Sequence, residues 1–149
     1  MARESITSDM TAAMKAGDKV KVGTLRMLMS AIKNEEIAVG GELDEQAFLK
    51  LVRKQIKQRK ESAEQYEKGG RAELAAQETR EAEILGVYLP PAVDDDEIRK
   101  ALRDFVAAEG LSGPSAIGPI MKAMLARFGG QADGATINRL AREILAEAD

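Results

Sequence analysis

The sequence predicts an all-α protein, with a larger N-terminal helical domain of about four helices followed by a small C-terminal domain of three. Three observations carry this. Alanine, the best helix former, supplies 24 of the 149 residues, and Glu, Lys, Leu and Arg are abundant beside it. Apolar residues recur with a period near 3.6, and no segment shows the sustained alternation of a half-buried strand. The 13 glycines and 4 prolines fall between the periodic segments, as punctuation.

A first helix near residues 3–16 puts Ile6, Met10, Ala13 and Met14 on one face, with Gly17 at its C-terminal cap. Asp18 caps a second, over 19–38, where Val22, Leu25, Leu28, Met29 and Ile32 keep helical spacing up to Gly40-Gly41. Asp44 is the N-cap of a longer third helix, with Leu43 stapled to Phe48 and a stripe of Phe48, Val52, Ile56, Ala63 and Tyr66. Gly69-Gly70 stops it. A fourth runs from about Arg71 to Tyr88 with Leu74, Ala82, Leu85 and Tyr88 inward. Pro90-Pro91 is the strongest break, since neither residue donates a backbone hydrogen bond and each restricts its predecessor. The expected domains are therefore 1–90 and 91–149. Beyond the break, Asp94 to Glu97 reads as a capping box with Val93 stapled to Ile98. An interrupted helix follows at about 115–128 with Ile120, Met121, Met124, Leu125 and Phe128 as its apolar set. Asp133 caps the last helix, in which Ile137, Leu140, Ala141, Ile144 and Leu145 repeat at i, i+3, i+4, i+7 and i+8.

The chain has no Cys and no His. That removes thiol and imidazole catalysis, Cys/His zinc sites, haem and iron–sulfur ligation, and disulfides. No cofactor and no metal is expected. A general acid or base is confined to Asp, Glu, Lys or Tyr, none of which titrates near neutrality without a strong shift. No apolar run approaches the roughly 20 residues of a membrane span, and no apolar leader follows Met1; on that ground the expected location is the cytoplasm. The net charge of −3 gives no global attraction to nucleic acid, so any such reading rests on local patches.

Three features are candidates for function. Lys50, Arg53, Lys54, Lys57, Arg59 and Lys60 form a run without an acid, and Lys50, Arg53, Lys54, Lys57 and Lys60 make a stripe opposite the Val52–Ile56 face that suits a phosphate backbone; the plain alternative is a solvated helix face. The stretch 119–142 carries Lys122, Arg127, Arg139 and Arg142, with Gly129-Gly130 before a helix N-terminus, a place where backbone N–H groups suit an anion; the alternative is a simple turn. The acids Glu78, Glu81 and Glu83, and Asp94 to Glu97, read as ion-pair and capping groups rather than a metal or acid/base site. Met27, Met29, Met121 and Met124 offer an adaptable apolar surface for a protein partner, or pack in the core.

Arg26-Met27-Leu28-Met29-Ser30-Ala31-Ile32-Lys33-Asn34-Glu35-Glu36-Ile37, Lys57-Gln58-Arg59-Lys60-Glu61-Ser62, Tyr66 with Lys68-Gly69-Gly70-Arg71, and Tyr88-Leu89-Pro90 resemble the YqeY family. So do Gly118-Pro119-Ile120-Met121-Lys122-Ala123-Met124 and the run from Gly129 to Gly134. The second half is also similar to the tail domain of GatB, a subunit of the glutamine-dependent amidotransferase acting on misacylated tRNA. The resemblance implies an all-helical two-domain protein that binds tRNA or another structured RNA. It implies an association with carbon–nitrogen ligation using glutamine as amide donor, with the chemistry performed elsewhere. The tail-domain motif falls on Met121, Lys122, Gly130, Asp133 and Asn138; phosphate contacts are expected from Lys122 and the Gly129-Gly130 turn, sugar or phosphate contacts from Asn138 and Arg142, and helix capping from Asp133. Arg26, Lys33, Arg59, Glu78 and Glu81 also match motif positions.

Overall fold

The computed structural model describes residues 2–129 and 131–147. Among them are seven α-helices, one 3₁₀ turn and no strand, which makes the fold all-α. The helices are α1 (Ala2–Ala16), α2 (Lys19–Val39), α3 (Glu45–Lys68), α4 (Ala72–Gly86), α5 (Asp95–Glu109), α6 (Ile117–Phe128) and α7 (Gly134–Glu147), with the 3₁₀ turn at Pro114–Ala116. Backbone contacts cluster into two compact units, Met1–Leu89 and Pro90–Asp149. Among the described residues no helix is long and apolar enough to cross a membrane.

Local chemistry sets the helix starts. The carboxylates of Asp18, Asp44 and Asp133 accept from the N–H groups of Lys21 (3.1 Å), Ala47 (2.8 Å) and Thr136 (2.7 Å). Each satisfies one donor that the first helical turn leaves without a partner. Asp94 does the same one residue earlier than a capping box requires, accepting from Asp96 at 2.8 Å. Gly40 and Gly110 end α2 and α5 in the left-handed region, at φ 77° and 62°, where a side chain is strained.

In the first unit α1 packs on α2, α3 on α4, and α2 joins the two pairs. The core is Ile6, Leu25, Leu28, Ile32, Leu43, Phe48, Leu49, Val52, Leu85 and Tyr88. Five positions depart from the expected faces. Met14, Met29 and Leu74 are exposed, and the α3 stripe is buried only as far as Arg59, with Ala63 and Tyr66 half-covered. α3 packs mainly on α4 and only lightly on α2, which fits a stripe whose far end is left half-covered. Glu36 ties the unit together, pairing with Arg3 and accepting from Leu43 N–H at 3.3 Å. The hydrogen bond from Arg3 holds the Glu36 carboxyl below its usual 4.5.

Tyr88, just past α4, is buried and donates its hydroxyl to Asp9 of α1 at 2.6 Å. Burial, with Asp9 as acceptor, raises the phenol well above its ordinary 10.0. The folded state therefore holds this proton more tightly, so the bond's stabilisation is present below pH 10.0 and is lost as pH rises past it. Tyr88→Phe is expected to cost about 1–2 kcal/mol at pH 7, because Asp9 loses a donor, and to remove that alkaline loss. Urea denaturation at pH 7 and 10.5 reads both effects; an unchanged midpoint at pH 7 refutes the role.

The second unit packs α5 and α6 on α7 around Ile98, Leu102, Ile120, Met124, Phe128, Ile137, Leu140, Ala141 and Ile144. All five apolar residues anticipated on α7 are buried. Leu125 is the exception on α6, at the exposed edge of its stripe. Arg99 with Glu143, Arg103 with Glu147, and Arg139 with Asp95 lace α5 to α7.

Candidate nucleic-acid interface

The α3 run divides into two populations. Lys50, Lys54, Lys57 and Lys60 are exposed, and none of them forms an ion pair among the described residues. Arg53 is half-buried beside them and makes interactions of its own. At about 100° per residue, Lys50, Lys54 and Lys57 lie almost in line along some 10 Å of helix. On the same face Glu61 and Glu64 follow, and the basic stripe ends there.

Arg59 is not part of that surface. It is 6% exposed, its Nη1 donates to Gln55 Oε1 at 2.9 Å, and its Nε lies 3.4 Å from Glu81 Oε2 across the α3–α4 seam. Its Nη2 approaches the sulfur of Met27 at 3.8 Å. Its place was readable in the spacing: Arg59 follows Val52 by seven and Ile56 by three, which is the buried side. Burial, followed by the like charge of Glu81, raises the Glu78 carboxyl above 4.5, while Arg59 pulls it back down. Glu83 points away, exposed. Arg59, Glu78 and Glu81 are a structural charge cluster.

The second-unit candidates are less well assembled. Lys122 and Arg127 are both exposed but sit about 140° apart around α6, and Arg127 lies over the Phe128 ring at 5.1 Å. Arg139 is held by Asp95 and Glu143, and Arg142 donates to Asn138 Oδ1 at 2.8 Å. In the loop after α6 the described N–H groups are spent on helix carbonyls. The N–H of Gly129 bonds to Leu125 O, and those of Gln131 and Ala132 to Phe128 O. The end of α6 needs donors for its last carbonyls and takes these. Ahead of α7 the Asp133 carboxylate already fills the position an anion would take. The Gly129 N–H, from which a phosphate contact was expected, is bonded to Leu125 O; Gly130 lies outside the described residues.

Charge separates the units in the same sense. Residues 1–89 hold 15 Lys+Arg and 15 Asp+Glu, whereas residues 90–149 hold 7 and 10. A polyanion meets less opposition on the first unit.

The Yqey-like protein family model matches residues 3–145. The chain is 38% identical over 114 residues to "Altered inheritance of mitochondria protein 41, mitochondrial" of Lachancea thermotolerans, covering 74% of this chain and 61% of that protein. Proteins of the same name from Clavispora lusitaniae and Vanderwaltozyma polyspora are 36% and 35% identical, over 68% and 70% of this chain and 61% and 60% of theirs. The chain thus spans about three-fifths of the length of these relatives. Their names overturn the expectation of a cytoplasmic location, since those proteins are called mitochondrial. That expectation rested on the lack of an apolar leader, and mitochondrial targeting segments are amphipathic and Arg-rich instead. With a family model matched along almost its whole length and relatives above one-third identity, the chain belongs to the YqeY-like family.

Proposed function

We propose that this protein is an RNA-binding accessory factor that holds the phosphate backbone of tRNA or another structured RNA along α3. The observation that carries the reading is the line of Lys50, Lys54 and Lys57, exposed and without acid partners among the described residues. Three ammonium groups on a rigid helix neutralise successive phosphates at little ordering cost beyond their own side chains. The similarity of the family's pattern to the tail of the amidotransferase subunit supports tRNA as the polymer, with any amide-forming chemistry supplied by partner proteins.

The test is binding of the full chain to bulk tRNA and to a matched duplex DNA across a salt series. About three phosphates neutralised gives a slope of roughly −2 to −3 in log K against log salt. Micromolar affinity with tRNA preferred is the expected result. Equal, weak binding to both polymers, or affinity that ignores salt, overturns the reading.

A further inference from the structure

The α1–α2 hairpin carries a second surface that the α3 stripe does not use. Along one side of its seam lie two clefts of about 510 Å³ and 370 Å³. Among the α2 residues that line them, Val22, Arg26, Met29, Lys33 and Glu36 recur at i, i+4, i+7, i+11 and i+14, so both clefts lie along one stripe. The groove is about 20 Å long by helix rise. Ile6 closes its floor at 2% exposure, while Met14 and Met29 stand 55% and 37% exposed, one toward each end. Met27, by contrast, lies about 200° from Met29 around α2, so the exposed methionines serve this groove singly and form no common patch. Gly23 also lines it, and a Cβ built there meets nothing within 4 Å.

Charge defines what fits. The two acids reaching the groove are already paired, Glu36 with Arg3 and Asp18 with Arg80 at 2.8 Å. Arg26 and Lys33 are exposed, two helical turns apart, and form no ion pair among the described residues. We propose that this seam docks an amphipathic helix of a partner protein, with its apolar stripe against Met14 and Met29 above the Ile6 floor and two acidic residues seven apart facing Arg26 and Lys33. A third helix laid between two packed helices buries its apolar stripe against both. Methionine side chains adapt to such an occupant. An RNA strand fits less well, because the floor is apolar and no aromatic ring is present for a base to stack on.

The probe is a synthetic, end-capped 18-residue helix-forming peptide with Leu at i, i+3, i+4 and i+7 and two flanking Glu seven apart. A control peptide carries Lys in place of both Glu, and anisotropy is read with the full chain. The Glu peptide is expected to bind in the micromolar range and the Lys peptide roughly tenfold more weakly. Arg26→Glu with Lys33→Glu reverses that preference. Gly23→Leu blocks the groove and abolishes binding; both variants retain wild-type helicity, since the altered positions are solvent-facing or open. Equal affinity for the two peptides, or binding that survives Gly23→Leu, overturns the proposal. Two other outcomes also overturn it: concentration-dependent dimerisation that Gly23→Leu removes, which makes a second copy the occupant, and loss of tRNA binding in the Arg26/Lys33 variant without peptide binding by the wild type.

Discussion

Glu81→Ala is expected to destabilise the first unit by about 3 kcal/mol, enough to lower its melting temperature by roughly 10–20 °C. The reason is what the substitution leaves behind. Arg59 is buried, and its Nε, which has no hydrogen-bond partner, faces Glu81 Oε2 as its counter-charge at 3.4 Å. Without that carboxylate a guanidinium stays in a poorly solvated seam with Gln55 and a methionine sulfur for company. Stranding a buried charge costs about 3–5 kcal/mol. The low end applies because Glu78 is close enough to interact electrostatically with both groups. It is a better counterion once Glu81, which opposes its ionisation, is gone. Replacing the pair together, Arg59→Met with Glu81→Leu, is expected to recover most of the loss, since well-packed apolar side chains often match a buried ion pair in stability. Urea denaturation of the single and double variants measures this. A Glu81→Ala midpoint within error of wild type shows that Arg59 was adequately solvated and that the cluster is ornamental to stability.

The same cluster shows where sequence reasoning stops. The helix starts were legible because an N-cap is a contact over two or three residues: Asp18, Asp44 and Asp133 accept from the third residue on, while Asp94 caps from the second instead of the third that its capping box called for. The α7 stripe was legible because its neighbours cover it along its whole length. The fate of α3 was not, since its burial depends on which helices pack against it, which spacing within α3 does not say. A run of cations also hides geometry: Lys57 and Lys60 flank Arg59 in the chain, yet about 160° separates Lys57 from it around the helix. The loop at Gly129 was ambiguous for a different reason. Glycines before a helix N-terminus suggest an anion site, but Gly129 also follows a helix C-terminus, whose carbonyls compete for N–H groups, and its own bonds to Leu125 O.

The triple reversal Lys50→Glu, Lys54→Glu, Lys57→Glu is expected to weaken tRNA binding by about 10²–10³-fold at 0.1 M salt, and to flatten the salt dependence by two to three units of slope. Each phosphate contact releases most of one counterion, so at 0.1 M each is worth close to one decade in affinity. The three side chains are solvent-facing on a helix whose core contacts come from Phe48, Leu49 and Val52, so the substitutions leave packing untouched. Helicity and the urea midpoint should stay near wild type, with only small changes from helix-surface charge pairs. Reversal of Lys122 and Arg127 provides the comparison. These two diverge around α6 and sit on the more acidic unit, so a loss below tenfold is expected there. If the second pair instead costs the larger factor, the polymer is held by the smaller unit and the α3 stripe is an ordinary solvated face. If both variants bind as wild type does, any measured affinity comes from neither surface, and the slope of the wild-type salt series gives the number of phosphates for which another set of cations must account.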